Sequence, residues 1–558
     1  MKRFFYPAVI IMLIALLAMS DFVFLRIDLT SEHRYSVSDA TKQLMKKAEQ
    51  PLEATLFLDG ELNSGFRRLR KSTLEMLAEM SVYAPRGIRI EKINPSASNN
   101  TDNERNRIYA ALESEGMTPT AIYERTKDGK SAQTTVFPYL KISYGNRAIN
   151  VNLLKNIKGN SGEENLNISI ENLEFEITDA IRRLVNTEVR KIAFIEGHGE
   201  LTEAETYDIS RELSNYFQID RGTLGDDATI LNDYQVIIVA RPQEKFSESD
   251  KYIIDQYIMN GGRVMWLLDE VKIDEAALSA KGVSPAIAQD LNLSDMFFKY
   301  GIRFEPVLLQ DVQSVVVPVN IAPAGAQPQF EPTAWFYAPL LLTSPENPIT
   351  KNIAEVRGEF VSMLGLVGER QLKAEALLAT SNNTHVVATP AVINLSDMPD
   401  PKDKTYFAQG YLPVALLVEG EFQSDFVNRM RPREIKHAFP FLAKSLATRQ
   451  IFVADGDIIR NETNGVASDS TTLPLGYDRY MQVRFGNREF VQNAILYLAN
   501  DDSWLSLRNR TFKLRLLNKH LIANNRNVIQ AINTGLPLLL LAIFGIVYQV
   551  LRKKRFRK

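Results

Sequence analysis

A long uncharged run near the C-terminus restricts how this chain can fold. Residues 528–551 are almost all apolar, and the basic sequence RKKR follows directly at 552–555. At ~1.5 Å per residue, a helix of this length crosses the ~30 Å hydrocarbon layer of a membrane. Basic residues directly after an apolar span are typical of its cytoplasmic side. We therefore predict a transmembrane helix over 528–551 and a basic cytoplasmic tail over 552–558.

A second apolar run lies near the N-terminus. Residues 4–25 contain Asp21 as their only charged residue and follow a basic tip over residues 1–3. The run is either a retained transmembrane helix or a cleaved secretory signal, because residues 18–20 form an acceptable cleavage site. We favour a retained helix, since the apolar run continues past that site. Both termini are then cytoplasmic, and residues from about 26 to 527 lie outside the inner membrane.

Composition narrows the chemistry available to this outer region. The chain contains no cysteine, which excludes disulfides, thiolate metal sites and a cysteine nucleophile. The formal net charge is −2 although both ends are basic, so the region between the ends is acidic. An acidic body with basic tips argues against a nucleic-acid surface and for orientation in a membrane.

Strand-like and helical patterns alternate in the middle of the chain. The strand-like runs are residues 191–195, 235–240 and 263–268, and the helical patterns are residues 203–217 and 248–260. A later strand at 451–454 and a helix at 487–498 complete the pattern. This alternation predicts an open, mostly parallel α/β sheet, with ligands beyond the carboxyl ends of its strands. We assign it to residues 188–504, with a strand-rich insertion at about 300–430 packed against the sheet.

A smaller α/β domain is predicted for residues 26–158. It begins with a strand at 53–58, a helix at 67–83 and a strand at 88–93. This β-α-β order is similar to that of a thioredoxin-like domain, although a redox role requires a cysteine. Residues 159–187 read as a linker and helix leading to the central domain. Residues 505–527 read as a basic juxtamembrane helix.

The turn after the first central strand contains the most site-like histidine. Gly197, His198, Gly199 and Glu200 follow the strand and precede a helical pattern. Glycines allow close backbone approach, and a helix N-terminus favours anions, so these residues are candidates for ligand binding. The alternative is that the glycines serve the turn and His198 forms local hydrogen bonds.

Acidic residues follow two of the strand-like runs. Asp269 and Glu270 end one run, and Asp455 and Asp457 follow another. They can gather at one sheet edge for ligand or metal binding, but such acids are also common as helix caps, and no spacing here indicates a coordination geometry. We predict neither a metal nor a cofactor. The chain has no G-x-S-x-G elbow and no phosphate-binding loop, so we predict no enzymatic activity of its own.

Several longer stretches resemble the ABC-transporter auxiliary proteins, and in particular their gliding-motility members in Bacteroidetes. The resemblance covers essentially the whole chain, including both apolar runs. Its carriers are FIEGHGE at 194–200, the Gly261-Gly262 turn before RVMWLLDE at 263–270, LLATS at 377–381, the block GNREFVQNAILYLANDDSWLSLRNR at 486–510, and LRLLNKH at 514–520.

This resemblance implies a membrane-anchored periplasmic protein that works with an ABC permease and an ATPase in gliding motility. Other gliding or secretion machinery is a further possible partner. The central domain would then be similar to the glutamine-amidotransferase-like fold shared with intraflagellar-transport proteins. That enzyme fold depends on a cysteine nucleophile, so its activity is not expected here.

Two functions stay open from the sequence. The first is a non-enzymatic transporter subunit that binds a substrate or a machine component outside the inner membrane. The second is a hydrolase-like enzyme that uses His198 and the strand-end acids. If the chain is a transporter subunit, small or polar residues of the last span would allow close contact with the permease. The candidates are Thr534, Gly535 and Gly545.

Overall fold

The chain forms two compact units, residues 1–510 and residues 511–558. The computed structural model describes residues 37–97, 101–125, 131–155, 161–185, 190–320, 322, 327, 329–351, 353–368, 372–395, 398–436, 440–464, 471–499 and 525–556. The predicted N-terminal membrane helix at 4–25 lies outside the described residues. So does nearly all of the predicted juxtamembrane helix at 505–527.

The N-terminal part of the first unit is a four-stranded sheet covered by helices. Its elements are α1 (Asp39–Lys46), β1 (Leu52–Leu56), α2 (Ser64–Tyr83), β2 (Ile88–Lys92), α3 (Asp102–Ser114), β3 (Thr120–Arg125), β4 (Ser131–Val136), β5 (Tyr139–Tyr144), β6 (Arg147–Asn152), α4 (Gly162–Glu171) and α5 (Leu173–Val185). The sheet order is β2-β1-β5-β6, with β1 and β2 parallel and β5 antiparallel to β1. The predicted β-α-β unit is confirmed, whereas the thioredoxin-like assignment stays a prediction.

The segment predicted as a linker and helix, 159–187, belongs to this N-terminal core. Its described residues form α4 and α5, two successive helices rather than one. Leu166, Leu173, Ile177, Ile181 and Leu184 are buried in the same apolar cluster as strands β1 and β5. These residues recur at helical spacing, so one face of the helix pair packs on the sheet. The segment is therefore part of the N-terminal domain.

The central part of the first unit, residues 190–499, contains a long mixed sheet and several smaller sheets. Its elements are β7 (Lys191–Ile195), α6 (Tyr207–Leu213), β8 (Gln218–Gly222), β9 (Tyr234–Ala240), α7 (Glu248–Met259), β10 (Val264–Leu267), β11 (Val271–Ile273), α8 (Glu275–Lys281), β12 (Val283–Ala288), α9 (Ser294–Lys299), β13 (Ile302–Glu305), β14 (Val307–Asp311), β15 (Ser314–Asn320), β16 (Phe330–Thr343), β17 (Val356–Arg357), β18 (Met363–Leu366), β19 (Lys373–Ala379), β20 (Thr384–Ala388), β21 (Ala391–Asn394), β22 (Pro413–Gly420), β23 (Thr448–Val453), β24 (Thr463–Asn464), β25 (Thr471–Thr472), β26 (Tyr477–Asp478), β27 (Val483–Arg484) and α10 (Asn487–Leu498). The main sheet has the order β15-β16-β19-β22-β23-β10-β9-β7-β8.

The expected parallel sheet forms one half of this order. Strands β23, β10, β9, β7 and β8 are mutually parallel. Beyond β23, strands β22, β19, β16 and β15 run antiparallel to their neighbours. The predicted insertion at about 300–430 is therefore wrong in one respect, because these four strands of it extend the sheet instead of packing against it. Strand β22 is buried along most of its length, which is typical of an interior strand.

Helices cover both faces of the parallel half. Ile192 and Phe194 point into one apolar cluster with α6 and α10. Ala193 and Ile195, on the opposite face of the same strand, point into another cluster with α7 and α9. Alternate residues thus bury opposite faces, as expected for a parallel sheet with helices on both sides.

The first central helix is shorter than predicted. Thr202 and Glu205 form the reciprocal hydrogen bonds typical of a helix start, but helix α6 begins only at Tyr207 and ends at Leu213. The predicted range 203–217 is therefore too long at both ends. The residues after it turn into β8, a short edge strand of sequence QIDRG. Its mixed polar composition gave no strand signal.

The second unit contains helix α11 (Arg526–Phe556). The most apolar 18 residues of its stretch Arg526–Lys554 have a mean hydropathy of 2.0, and none of them is buried. This stretch is long and apolar enough to cross a membrane. The helix predicted over 528–551 is confirmed, and it continues through Pro537.

Candidate functional site

The carboxyl ends of three neighbouring parallel strands meet at one edge of the central sheet. Arg241 follows β9, Asp269 lies just beyond β10, and Asp455 and Asp457 follow β23. Carboxylate oxygens of Asp269, Asp455 and Asp457 all lie within 4.8 Å of one another. The predicted gathering of these strand-end acids is therefore confirmed. Glu270, which was expected with them, is not part of this three-carboxylate group.

Two arginines supply positive charge to these carboxylates. The Nε atom of Arg241 lies 2.7 Å from Asp269 Oδ2 and 3.3 Å from Asp457 Oδ1. Its Nη2 atom donates to Glu275 Oε1 at 2.6 Å. Arg460 places its Nε atom 2.7 Å from the same oxygen of Asp457. Neither arginine was predicted from the sequence, because a single arginine after a strand carries no distinctive pattern.

Backbone groups fix the remaining carboxylate oxygens. The N–H of Gly456 donates to Asp269 Oδ1 at 2.6 Å, and the N–H of Glu359 donates to Asp455 Oδ2 at 2.9 Å. A Cβ atom on Gly456 would lie 2.5 Å from Arg241 Cγ, so the close approach requires glycine. Arg241 itself has φ +53°. Non-glycine residues in this region are uncommon and are often held at functional sites by their surroundings.

Burial changes the pKa values of the carboxyl groups at this edge. It raises the pKa of Asp455 to about 8, and the charge of Asp269 acts in the same direction. Burial also raises the pKa of Asp457, against the opposing charges of Arg460 and Arg241. For Glu275, burial alone would raise the pKa, but Arg460 and Arg241 outweigh it and lower the value. Asp455 therefore carries a proton at neutral pH, while Glu275 is ionised.

A small polar cavity opens beside these groups. The residues that line it are Arg241, Gln243, Asp269, Val271, Lys272, Ile273, Gln289, Phe360 and Asp457. Three clustered carboxylates are a donor set that can hold a cation. Here the guanidinium of Arg241 already contacts two of the three, which makes the group a poor metal site. The cavity volume of about 10 Å³ admits a single water-sized group, so a ligand bound at this edge would insert only one small polar group here.

The glycine turn at 197–200 follows strand β7, and within the described residues it forms no hydrogen bond or ion pair with the three aspartates. Gly197 has φ +115° and Gly199 has φ +72°, so both glycines serve the turn geometry. The ring of His198 is buried and stacks on Phe246 at 3.7 Å between centroids. Its Nδ1 atom lies 2.9 Å from Glu200 Oε1, and its Nε2 atom lies 3.3 Å from Asp250 Oδ2.

This pairing determines what His198 can do. Burial alone would lower the pKa of its imidazole, but hydrogen bonds to Asp250 and Glu200 and their charges raise the pKa to about 9. A protonated ring between two carboxylates has no free nitrogen to act as a general base. His198 in this state therefore does not supply the general base that the hydrolase alternative requires. The link to the cavity is through the backbone, because the N–H of Gln243 donates to the His198 carbonyl at 2.7 Å.

His198 makes the stability of the central domain depend on pH. Its pKa is about 9 in the folded chain against an ordinary 6.5, so the folded state holds a proton that the unfolded state loses between these values. The stabilisation is complete below pH 6.5 and is lost as the pH rises through 9, by at most about 3 kcal/mol.

We expect the stability gap between wild type and His198→Gln to shrink as the pH rises from 6 to about 9.5. Asp455 also loses its proton in part of this range, but it does so in both proteins. Urea unfolding followed by tryptophan fluorescence, to which the buried Trp266 contributes, measures the gap. A gap that stays constant over this range would show that His198 is not held as an imidazolium.

Comparisons with known proteins place the chain in a family. Residues 189–494 match the model of a family described as an ABC-type uncharacterized transport system, and residues 31–143 match a domain of unknown function, DUF7088. No curated protein matches. Among solved structures, the "mmIFT52 N-terminal domain" is similar over 56% of this chain and 98% of its own, with 14% identity and a TM-score of 0.31, which is too low to support an assignment of fold. Since the first match spans more than half of the 558 residues, the chain belongs to the family of ABC-transporter auxiliary proteins.

Proposed function

We propose that this protein is a membrane-anchored, non-enzymatic component of an ABC transporter complex. One observation carries the proposal: a domain of the auxiliary family and a helix able to cross a membrane lie in the same chain. The partners would be an ABC permease and its ATPase in the inner membrane. We infer that both termini are cytoplasmic and that the region between two spans is periplasmic, from the basic residues outside each apolar run.

We further propose that the transporter serves gliding motility and that the chain corresponds to GldG. The blocks at 194–200, 377–381 and 486–510 support this assignment by resemblance. The central domain would keep the architecture of an amidotransferase-like fold without its enzymatic activity, since the chain has no cysteine.

We place ligand binding at the carboxyl edge of the central sheet. Asp269 lines the cavity directly, and Asp455 holds the loop at Glu359. Residues 197–200 act on the cavity by fixing the loop at Gln243. The proposed ligand is a small polar substrate or a polar segment of a machine component. Its recognition would use Gln243, Lys272 and Gln289, which line the same cavity.

The proposed topology predicts the reactivity of single cysteines in this cysteine-free chain. In intact spheroplasts, an impermeant maleimide should label Lys71→Cys and Lys373→Cys, whose parent side chains are 76% and 72% exposed. Lys554→Cys, in the basic tail, should react only after lysis. Labelling of the tail in intact cells together with protection of the other two would reverse the assigned orientation.

A further inference from the structure

One surface of the central domain combines projecting apolar side chains with basic ones. Phe298, on helix α9, is 58% exposed, and Met430, in the loop after β22, is 89% exposed. Both are held by buried neighbours, because Phe297 and Phe426 pack into the core. Single exposed apolar side chains are common on protein surfaces, so the case for a contact surface here depends on the charged side chains beside these two.

An ion pair brings the two segments together. Arg429 Nη2 lies 2.9 Å from Asp295 Oδ2, and Asp295 shares one helical face with Phe298 three residues later. Arg429 also contacts Asp425 at 3.0 Å. The buried Lys251 contacts Asp295 at 2.8 Å. The two acids at the base of this surface are therefore neutralised from within the fold.

The outer part of the surface carries cations without acidic partners. Lys299, Arg431 and Arg433 are exposed, and none of them forms an ion pair within the described part of the chain. The side chain of Arg431 donates to the Ile435 carbonyl at 3.3 Å. The exposed acids of this loop are Glu434 and Glu421, and Glu421 pairs with Lys444. We call Phe298, Lys299, Met430, Arg431 and Arg433 the basic apolar patch.

We propose that the basic apolar patch docks on the surface of an anionic phospholipid bilayer. This inference rests on the proposed membrane anchorage. Cationic side chains are attracted to anionic headgroups, while apolar side chains beside them insert at the boundary of headgroups and acyl chains. An anionic surface repels the acidic body of the chain, and the positive charge of the patch would offset this repulsion locally.

The length of the chain between the two units permits this contact. Residues 500–525 join helix α10 to helix α11. An extended segment of that length reaches at most roughly 90 Å. A protein tethered within this distance meets the bilayer at high effective concentration, so even weak docking is populated. A protein partner with an acidic surface is the competing occupant.

Site-specific fluorescence in vesicles tests the docking. The full-length Met430→Cys chain is labelled with an environment-sensitive fluorophore and reconstituted into vesicles whose lipids carry nitroxide quenchers. One set contains phosphatidylcholine alone, and in the other about one third of the lipid is phosphatidylglycerol. We expect quenching at position 430 in the anionic vesicles and little in the neutral ones. A label at Lys71→Cys, exposed on the N-terminal domain, should stay unquenched in both.

Charge reversal supplies the second comparison. Arg431→Glu with Arg433→Glu should weaken docking about 30-fold, because each basic residue near an anionic surface adds attraction. Arg86→Glu with Arg89→Glu, two exposed positions of the N-terminal domain, should leave quenching at 430 unchanged. Absence of quenching at 430 in anionic vesicles would overturn the proposal. So would quenching that survives the reversal at 431 and 433.

Further controls separate this proposal from the proposed function. A label at Ile543→Cys, within α11, should be quenched in every vesicle. If it is quenched and position 430 is not, only the docking proposal fails. If neither is quenched, the membrane anchorage fails as well. Protection of position 430 that requires an added protein fraction would assign the patch to a protein partner and reject the bilayer.

Discussion

Replacing Arg241 with methionine should lower the free energy of unfolding of the central domain by about 3–5 kcal/mol. The substitution keeps most of the side-chain length but removes the charge that contacts Asp269, Asp457 and Glu275. Their carboxylates would then lie at a largely buried edge with Arg460 as the remaining nearby cation. Removing one partner of a buried ion pair is costly because the other charge stays desolvated.

Two comparisons test this prediction. Arg303→Met removes an exposed ion pair with Glu305 in the same domain, and it should cost no more than about 1 kcal/mol. Adding Asp269→Asn to Arg241→Met should restore part of the loss, since Arg241 is the one cation that pairs with Asp269 among the described residues, whereas Asp457 keeps Arg460. Urea unfolding of the full chain, followed by tryptophan fluorescence, measures all three variants. A loss for Arg241→Met no larger than that for Arg303→Met would show that this network contributes little.

Substituting leucine for Gly545 should weaken association with the permease by about 5- to 30-fold, which corresponds to 1–2 kcal/mol of helix packing. Small residues let transmembrane helices approach closely, and Gly545 lies on the same face of α11 as Thr534, about three turns further along. A Cβ atom at position 545 meets no atom within 4 Å in this chain. The chain itself should therefore fold normally, and the effect should appear only in the complex.

The matched control lies on the opposite face of the same helix. Val547→Leu also enlarges an apolar side chain within the span, two residues further along. Co-purification of the permease from detergent extracts, quantified by mass spectrometry, compares both variants with wild type. Equal recovery of the permease with Gly545→Leu and Val547→Leu would show that this face of α11 does not contact the permease.

The meeting of strand-end acids could be predicted because it depends on sheet topology alone. Buried runs before Asp269 and Asp455 predicted parallel strands, and the carboxyl ends of adjacent parallel strands lie together. The order of those strands was not predictable, since pairing between β10 and β23 joins residues far apart in the sequence. For the same reason, the sequence did not predict that β22 continues the sheet beyond β23.

The role of His198 could be assigned from the structure but not from the sequence. A histidine between glycines is compatible with ligand binding and with local pairing. Asp250, which distinguishes the two, lies on helix α7 and not in the turn. Arg241 was missed for a related reason, because its function comes from acids on three other segments. Sequence patterns identify elements and their ends, whereas partners from distant segments decide the charge state of a site.

Purification of the full chain from its native membrane tests the central claim most directly. We predict that an ABC permease and its ATPase are recovered with it, and that ATP hydrolysis follows the ATPase subunit through the fractions. The chain purified to homogeneity should show no hydrolysis above background, since its sequence contains no phosphate-binding loop. Recovery of the chain without either subunit under conditions that preserve the membrane complex, or robust hydrolysis by the pure chain, would contradict the account.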